Sequence, residues 1–281
     1  MGLIQIFLFI LIFILILILI SLLYDRYLIN MDNIDELSIN NNIVKLKNNS
    51  LAFENQIPKI IHHLAPADQT KWKNEWYSCL KTWFDNFPKS EYKHLFWNDE
   101  QLREFMKNNF NWFLPIYDNY KENIMRVDIS RYFLLYKYGG IYTDMDMMCY
   151  KNFFHLLDQN KPNIVGSPFV KCEKTQNSLL ASPKNHPFWI DVFQNSIASR
   201  KMCSVIDISG PRLLDKVIDK NDHKINILDK NLFNPMPIPK NKKNLYTAHL
   251  YSGSWKNPIN FSKSFLCNIL LSKNRNLSCS Y

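Results

Sequence analysis

A helix-to-strand junction in mid-chain constrains this sequence more than any other feature. In Tyr138-Gly139-Gly140-Ile141-Tyr142-Thr143-Asp144-Met145-Asp146 a glycine pair ends a helical pattern, a short apolar run follows, and two carboxylates stand one residue apart where that run ends. Glycine at a helix C-terminus supplies the left-handed turn that stops the helix, so 141–143 is predicted as the strand that delivers Asp144. The helix before it is predicted over about 123–137, with Ile124, Asp128, Arg131 and Leu135 on neighbouring rows of one face. Alternate residues of a strand share a face, so Asp144 and Asp146 are expected to converge while Met145 turns away. Two carboxylates at one point need a counter-charge. Mg2+ or Mn2+ supplies it well, because these hard cations prefer oxygen ligands and keep open positions for substrate phosphates.

Each of these residues also has a plainer reading. An Asp-x-Asp triplet alone is common and usually marks a solvated turn, and Asp128 with Arg131 is an ordinary i,i+3 ion pair. Context favours a site: an ion pair inside an apolar stripe beside a sheet gains little net stability after desolvation.

The ends of the chain set its organisation. With 281 residues and 47% apolar content there is room for one large domain, and no second one is required. Residues 3–23 are almost unbroken Leu, Ile and Phe, interrupted only by Gln5 and Ser21, enough to cross a hydrocarbon core of about 30 Å. Without a basic leader or a small-residue cleavage site, this reads as a retained anchor. The expected division is a transmembrane signal anchor at 1–24, a polar stem at 25–56 and one α/β domain at 57–281. Arg26 follows the span among Asp25, Asp32, Asp35 and Glu36 and no basic residue precedes it. That pattern predicts a cytosolic N-terminus and a domain in an ER- or Golgi-like lumen, or otherwise outside the cytoplasm. Ile6 stands where myristoylation wants Ser or Thr. Sequons at Asn48, Asn260 and Asn276 are compatible with a lumen, although so Asn-rich a chain produces such triplets by chance.

The formal charge is +9, but the lysines are scattered, with no basic stripe interleaved with aromatics, so no nucleic-acid partner is expected. The cysteines lack paired metal spacing. Cys267 and Cys279 are placed for a disulfide in the tail, and Cys79, Cys149, Cys172 and Cys203 read as buried thiols. There is no internal repeat, no Gly-x-Gly-x-x-Gly and no phosphate-cradling loop of the Walker type.

Along the domain, 57–64 and 92–97 are predicted strands, separated by a helix through Trp76, Leu80, Trp83 and Phe84. Asn98 or Asp99 caps the helix carrying Leu102, Phe105 and Met106. Further strands are predicted at 163–170, 177–182 and 244–249, and helices at 186–199 and 212–220. Such alternation implies a mixed, mainly parallel sheet flanked by helices, with ligands beyond the carboxyl ends of its strands, where Asp144 and Asp146 fall. His249 and Trp255 share one loop; periodicity alone gives neither a function.

Four ordered motifs resemble the DXD-containing sugar transferases of family thirty-two. They are Ile57-Pro58-Lys59-Ile60-Ile61-His62, the Asp128–Tyr132 and Gly139–Asp146 block, Ser209-Gly210-Pro211, and His249 through Trp255. Members include outer-chain-initiating and inositol-phosphoceramide mannosyltransferases, with a distant likeness to clostridial glucosylating toxins. The resemblance implies a GT-A-type nucleotide-binding fold, Mn2+ or Mg2+, and a hexose, mannose before others, moved with retention from a nucleotide-diphosphate sugar to a glycan or glycolipid. By position it implies that Asp128 and Arg131 hold the donor's ribose, sugar or diphosphate. Asp144 and Asp146 then hold metal and sugar nucleotide, His249 completes the metal site, and Trp255 closes over the departing diphosphate. Asn177 and His186 would line the sugar and acceptor pocket. Relatives carry a base-stacking Trp just after the first-strand His; here Ala65 stands there, with Trp72 further on, so the base stays open between GDP-mannose and a UDP-linked galactose or glucose. Two other readings remain: a sugar-nucleotide hydrolase, and a membrane-tethered carbohydrate-binding protein that has lost catalysis.

Overall fold

Close approach at the glycine pair brings the central strands together. In the computed structural model, which describes residues 2–32, 35–50, 55–202, 204–220 and 225–253, Gly139 and Gly140 take φ values of +64° and +94°. A Cβ on Gly140 would lie 2.4 Å from the Ile60 carbonyl oxygen, and one on Gly139 would lie 2.8 Å from Pro58 Cδ. Only glycine tolerates both the dihedral and the contact.

The elements follow in the order α1 (Leu3–Asp32), α2 (Glu36–Asn49), β1 (Ile60–Leu64), α3 (Asn74–Asn86), β2 (Lys93–Trp97), α4 (Asp99–Asn109), α5 (Leu114–Asp118), α6 (Asn123–Tyr138), β3 (Gly140–Thr143), β4 (Met147–Cys149), β5 (Asn163–Gly166), β6 (Thr175–Ser182), α7 (Pro187–Ser199), α8 (Val205–Ile208), α9 (Pro211–Lys220), β7 (Asn226–Leu228), α10 (Lys230–Phe233) and β8 (Thr247–His249). The main sheet has the order β2-β1-β3-β6-β5-β7. β1 pairs in parallel with β2 and β3, β5 pairs in parallel with β7, and β6 runs against both its neighbours. This is the mixed, mainly parallel sheet that the alternation predicts. β7 and α10 are too short to show in the sequence pattern.

Alternate strand residues feed two cores. Tyr142, Ile164 and Leu180 face one packed by α4, α6, α7 and α9, while Ile141, Val165 and Leu179 face another that holds Trp83, Phe87 and Phe153. Asn98 caps α4 through a reciprocal capping box with Gln101, and Pro187 opens α7 behind a His186 cap.

α1 contains a 19-residue apolar stretch, Gln5–Leu23, long and apolar enough to cross a membrane. The segment expected to be a polar stem contains α2, whose Ile39 and Ile43 are buried in the first core. The Asp35 carboxylate caps α2 by accepting the Ser38 N–H, and Glu36 pairs with Arg200 at 2.6 Å. Ile39 and Ile43 stand one helical turn apart, so even this Asn-rich helix has an apolar stripe to bury. Cys79 and Cys149 are buried free thiols as expected, whereas Cys172 is disulfide-bonded.

The buried histidines of β1 are held neutral. His62 Nε2 lies 2.9 Å from the Gly139 carbonyl and its Nδ1 accepts the Trp97 indole N–H at 3.2 Å, which fixes the proton on Nε2. Burial lowers its pKa to about 4, partly countered by the bond to Gly139. The unfolded chain therefore binds a proton near pH 6.5 that the folded chain refuses, so the stability His62 contributes is present above pH 6.5 and is lost as pH falls towards 4. Urea unfolding of the full chain across this window should show a loss on the order of 3 kcal/mol from this residue. His62→Asn should be less stable at neutral pH yet flatter in its pH dependence; an unchanged slope would contradict the assignment.

Candidate active site

Asp144 follows β3 directly and Asp146 precedes β4, with the Met147 N–H donating to the Asp144 carbonyl at 3.2 Å. The pair thus sits in a tight turn between strands. Convergence comes from the turn rather than from strand alternation, and Met145 is buried beneath it.

Asp144 is secured through one oxygen and Asp146 through both. Asp144 Oδ1 accepts Arg131 Nη1 at 3.0 Å and also the Tyr142 hydroxyl; Asp144 Oδ2 has no hydrogen bond among the described residues. Asp146 Oδ2 accepts the Ser252 N–H at 2.9 Å and its hydroxyl at 2.8 Å, while Oδ1 lies 3.1 Å from His249 Nε2. His249 arrives because β8 pairs antiparallel with β4, setting it opposite Met147, the residue after Asp146. One ligand atom from each of Asp144, Asp146 and His249 lies within 4.8 Å of the others.

The donor set fits a divalent cation. Neighbouring ligands of an octahedral ion with bonds of about 2.1 Å stand about 3 Å apart, the spacing of the Asp146 and His249 atoms. His249 Nδ1 is buried without a hydrogen-bond partner, so the ring is not fully satisfied by protein alone. Burial would raise the Asp146 pKa, but hydrogen bonds and charge from His249, and the Ser252 donors, hold it well below the usual carboxylate range. Asp146 is therefore ionised and ready to ligate. Asp144 is pushed up by burial, with Arg131 countering.

Behind the pair, Arg131 is enclosed, its side chain 3% exposed. Nη2 meets Asp128 Oδ1 at 2.6 Å, Nη1 also donates to the Asn177 carbonyl at 2.8 Å, and the guanidinium lies 4.5 Å from the Tyr142 ring centroid. Asp128 additionally accepts Asn177 Nδ2 at 3.0 Å and the Ser209 hydroxyl at 3.4 Å. Burial raises Asp128 to about 6 despite Arg131. The Ser209-Gly210-Pro211 motif thus meets the Asp128 motif, as His249 and Ser252 meet Asp146. His186 serves as the α7 cap, and Trp255 lies outside the described residues.

Three supports carry no signal in the sequence. Ser252 acts through its backbone N–H as well as its hydroxyl. Tyr142 lies within the motif, but nothing in its spacing marks it. Tyr251, at φ +51°, packs its ring 4.0 Å from that of His249 and donates its hydroxyl towards Gln176 and Asn234. Near the strand end, Ala65 bonds to the Trp97 carbonyl, and Trp72 lies beside Phe96 and Tyr77. A cleft of about 660 Å³ lined by Lys45, Trp112, Tyr136 and Lys184 lies at the opposite end of β3 and takes no part in this site.

The glycosyltransferase sugar-binding region containing the DXD motif matches residues 73–163, which hold Asp128, Arg131, Asp144 and Asp146. An uncharacterized glycosyltransferase of Acanthamoeba polyphaga mimivirus is 30% identical over 75% of this chain and 89% of its own length. The chain belongs to this DXD-containing glycosyltransferase family. Inositol phosphoceramide mannosyltransferase 3 of Schizosaccharomyces pombe is 38% identical over 50% of this chain and 37% of its own length. A mannosyl phosphorylinositol ceramide synthase of Saccharomyces cerevisiae is 35% identical over 50% of this chain and 34% of its own length. The match thus spans little more than a third of either yeast relative.

Removing the Arg131 charge should unfold rather than merely inactivate. Arg131→Ala leaves Asp128 and Asp144 without their buried cation and should cost about 3–5 kcal/mol, read as a lowered urea midpoint. Asp128→Asn in the same chain should restore part of that loss; a melt unchanged in Arg131→Ala would refute the structural role.

Proposed function

We propose that this chain transfers a hexose, mannose before others, from a nucleotide-diphosphate sugar to a glycan or glycolipid, with Mn2+ or Mg2+ held by Asp144, Asp146 and His249. The convergence of these three side chains at the carboxyl end of β3 carries the reading: Asp144 is anchored through Oδ1 with Oδ2 unengaged among the described residues, and Asp146 is anchored through Oδ2 with Oδ1 against His249 Nε2. The names of the yeast relatives favour mannose and a lipid-linked acceptor. Retention of the anomeric configuration and a GT-A-type fold rest on the resemblance alone.

When bound, the cation supplies positive charge at the diphosphate oxygens. The protein's part is preorganisation. Arg131 and Tyr142 fix the Asp144 carboxylate, and Ser252 fixes that of Asp146, so neither acid reorients as the leaving group gains charge. Asp128 keeps Arg131 aimed at Asp144. Trp255, only three residues after Ser252, is assigned by its motif to cover the departing diphosphate. Asn177 braces Asp128 from β6 and is proposed, with Asp128, at the sugar end of the pocket.

The Cys172 disulfide and the apolar α1 support a membrane-anchored chain with its domain in an oxidising, extracytoplasmic compartment such as an ER- or Golgi-like lumen.

Asp144→Asn or Asp146→Asn should abolish turnover while leaving the melting temperature within a few degrees of the parent. With MnCl2 and GDP or UDP, the parent should melt higher and both variants should not, because only ligand bound to the folded state shifts the midpoint. Full turnover in either variant would overturn the metal role. Product analysis with each sugar nucleotide, with and without acceptor, separates GDP-mannose from UDP-hexose transfer and both from hydrolysis; a shift without any product would favour a binding protein.

A further inference from the structure

Arg131, which the motifs place with Asp128 on the donor's ribose, sugar or diphosphate, is covered, and both its Nη groups are committed to Asp128, Asp144 and the Asn177 carbonyl. Another cation stands at the opening. Lys73, the residue before α3, reaches across the site's rim and donates from Nζ to the Ser252 carbonyl at 2.6 Å. That same Ser252 binds Asp146 through its N–H and hydroxyl, and the Trp76 indole N–H lies 3.5 Å from its Oγ. Lys73 is thus one residue removed from the Asp146 carboxylate. It is half-buried, and among the described residues no carboxylate pairs with it.

Charge balance gives this lysine work to do. Asp128 and Arg131 cancel, and a divalent cation matches Asp144 with Asp146. The diphosphate of a nucleotide sugar then enters with its own negative charge unmatched, and gains more as transfer proceeds. Among the described residues, an ammonium placed beside it, with N–H groups beyond the one spent on Ser252, is a source of that compensation.

We infer that Lys73 holds the donor's diphosphate and stabilises it as it leaves, an inference that rests on the metal-dependent transferase reading above. In transfer, the bond from the sugar C1 to the β-phosphate oxygen breaks and its electron pair stays on that oxygen. The acceptor hydroxyl oxygen bonds to C1, and its proton leaves with the nucleoside diphosphate. Lys73 donates a hydrogen bond to the phosphate throughout and neither gains nor loses a proton.

Two substitutions separate this role from a purely structural one. Lys73→Gln keeps a donor for the Ser252 carbonyl and removes the charge, while Lys73→Arg keeps the charge. With the purified full chain in detergent, Mn2+ alone is titrated by electron paramagnetic resonance, and GDP, GMP, UDP and UMP are then titrated by calorimetry with Mn2+ present. Lys73→Gln should leave Mn2+ affinity unchanged and reduce the preference for diphosphate over monophosphate about tenfold, and Lys73→Arg should recover most of it. An unchanged preference in Lys73→Gln overturns the inference. So does a parallel fall in affinity for Mn2+ and for every nucleotide, the mark of a lysine acting only by holding Ser252 against Asp146. If Lys73→Gln does not fold, Lys73→Met takes its place in the same titrations, with the same outcomes supporting or overturning the role. A parent chain that binds neither Mn2+ nor any diphosphate defeats the metal-site reading instead.

Discussion

One buried guanidinium organises this molecule. Arg131 ties α6 to the turn after β3 through Asp144, to its own helix through Asp128, and to β6 through the Asn177 carbonyl. A buried charge is tolerated only when its partners are close and well aimed, so these three elements are held to one arrangement. The glycine pair makes that arrangement possible by letting β3 lie against β1 without intervening side chains. What reaches the surface is an aspartate whose orientation is decided from behind.

The front of the site is assembled separately, by the β4–β8 ribbon. Pairing Met147 with His249 brings a residue from the far end of the domain beside Asp146, and the following loop turns back so that Ser252 clamps the same carboxylate. Tyr251 anchors this loop to Gln176 and Asn234 in the body of the domain. Arg131 thus stiffens one acid from the sheet side while a loop stiffens the other from the solvent side, and the opening left between them is where the proposed cation and its phosphate ligand would meet the protein.

Much of the fold was readable from the chain because local signals agreed. Gly139-Gly140 stopped α6, Asn98 started α4, and Pro187 opened α7. The site was legible as a set of motifs, but its geometry was not. Asp144 and Asp146 converge through a turn that strand alternation does not describe, and β4, three residues long, carries no usable period, although the strand predicted at 244–249 contains β8. The helical stripe that carries Arg131 gives no sign of how thoroughly Tyr142, Asn177 and the two acids cover it. Ser252 acts partly through its backbone N–H and carbonyl, which side-chain identity does not announce. In α2, two isoleucines one turn apart were obscured by the surrounding asparagines that suggested a tether.

The most direct test is a crystal structure of the protein grown with MnCl2 and GDP or UDP, with anomalous data collected at the manganese edge. A manganese peak bonded to Asp144, Asp146 and His249 and to the diphosphate, with Arg131 still seated between Asp128 and Asp144, is the predicted result. Manganese and diphosphate bound elsewhere, with the two acids left facing bulk solvent, would contradict the account.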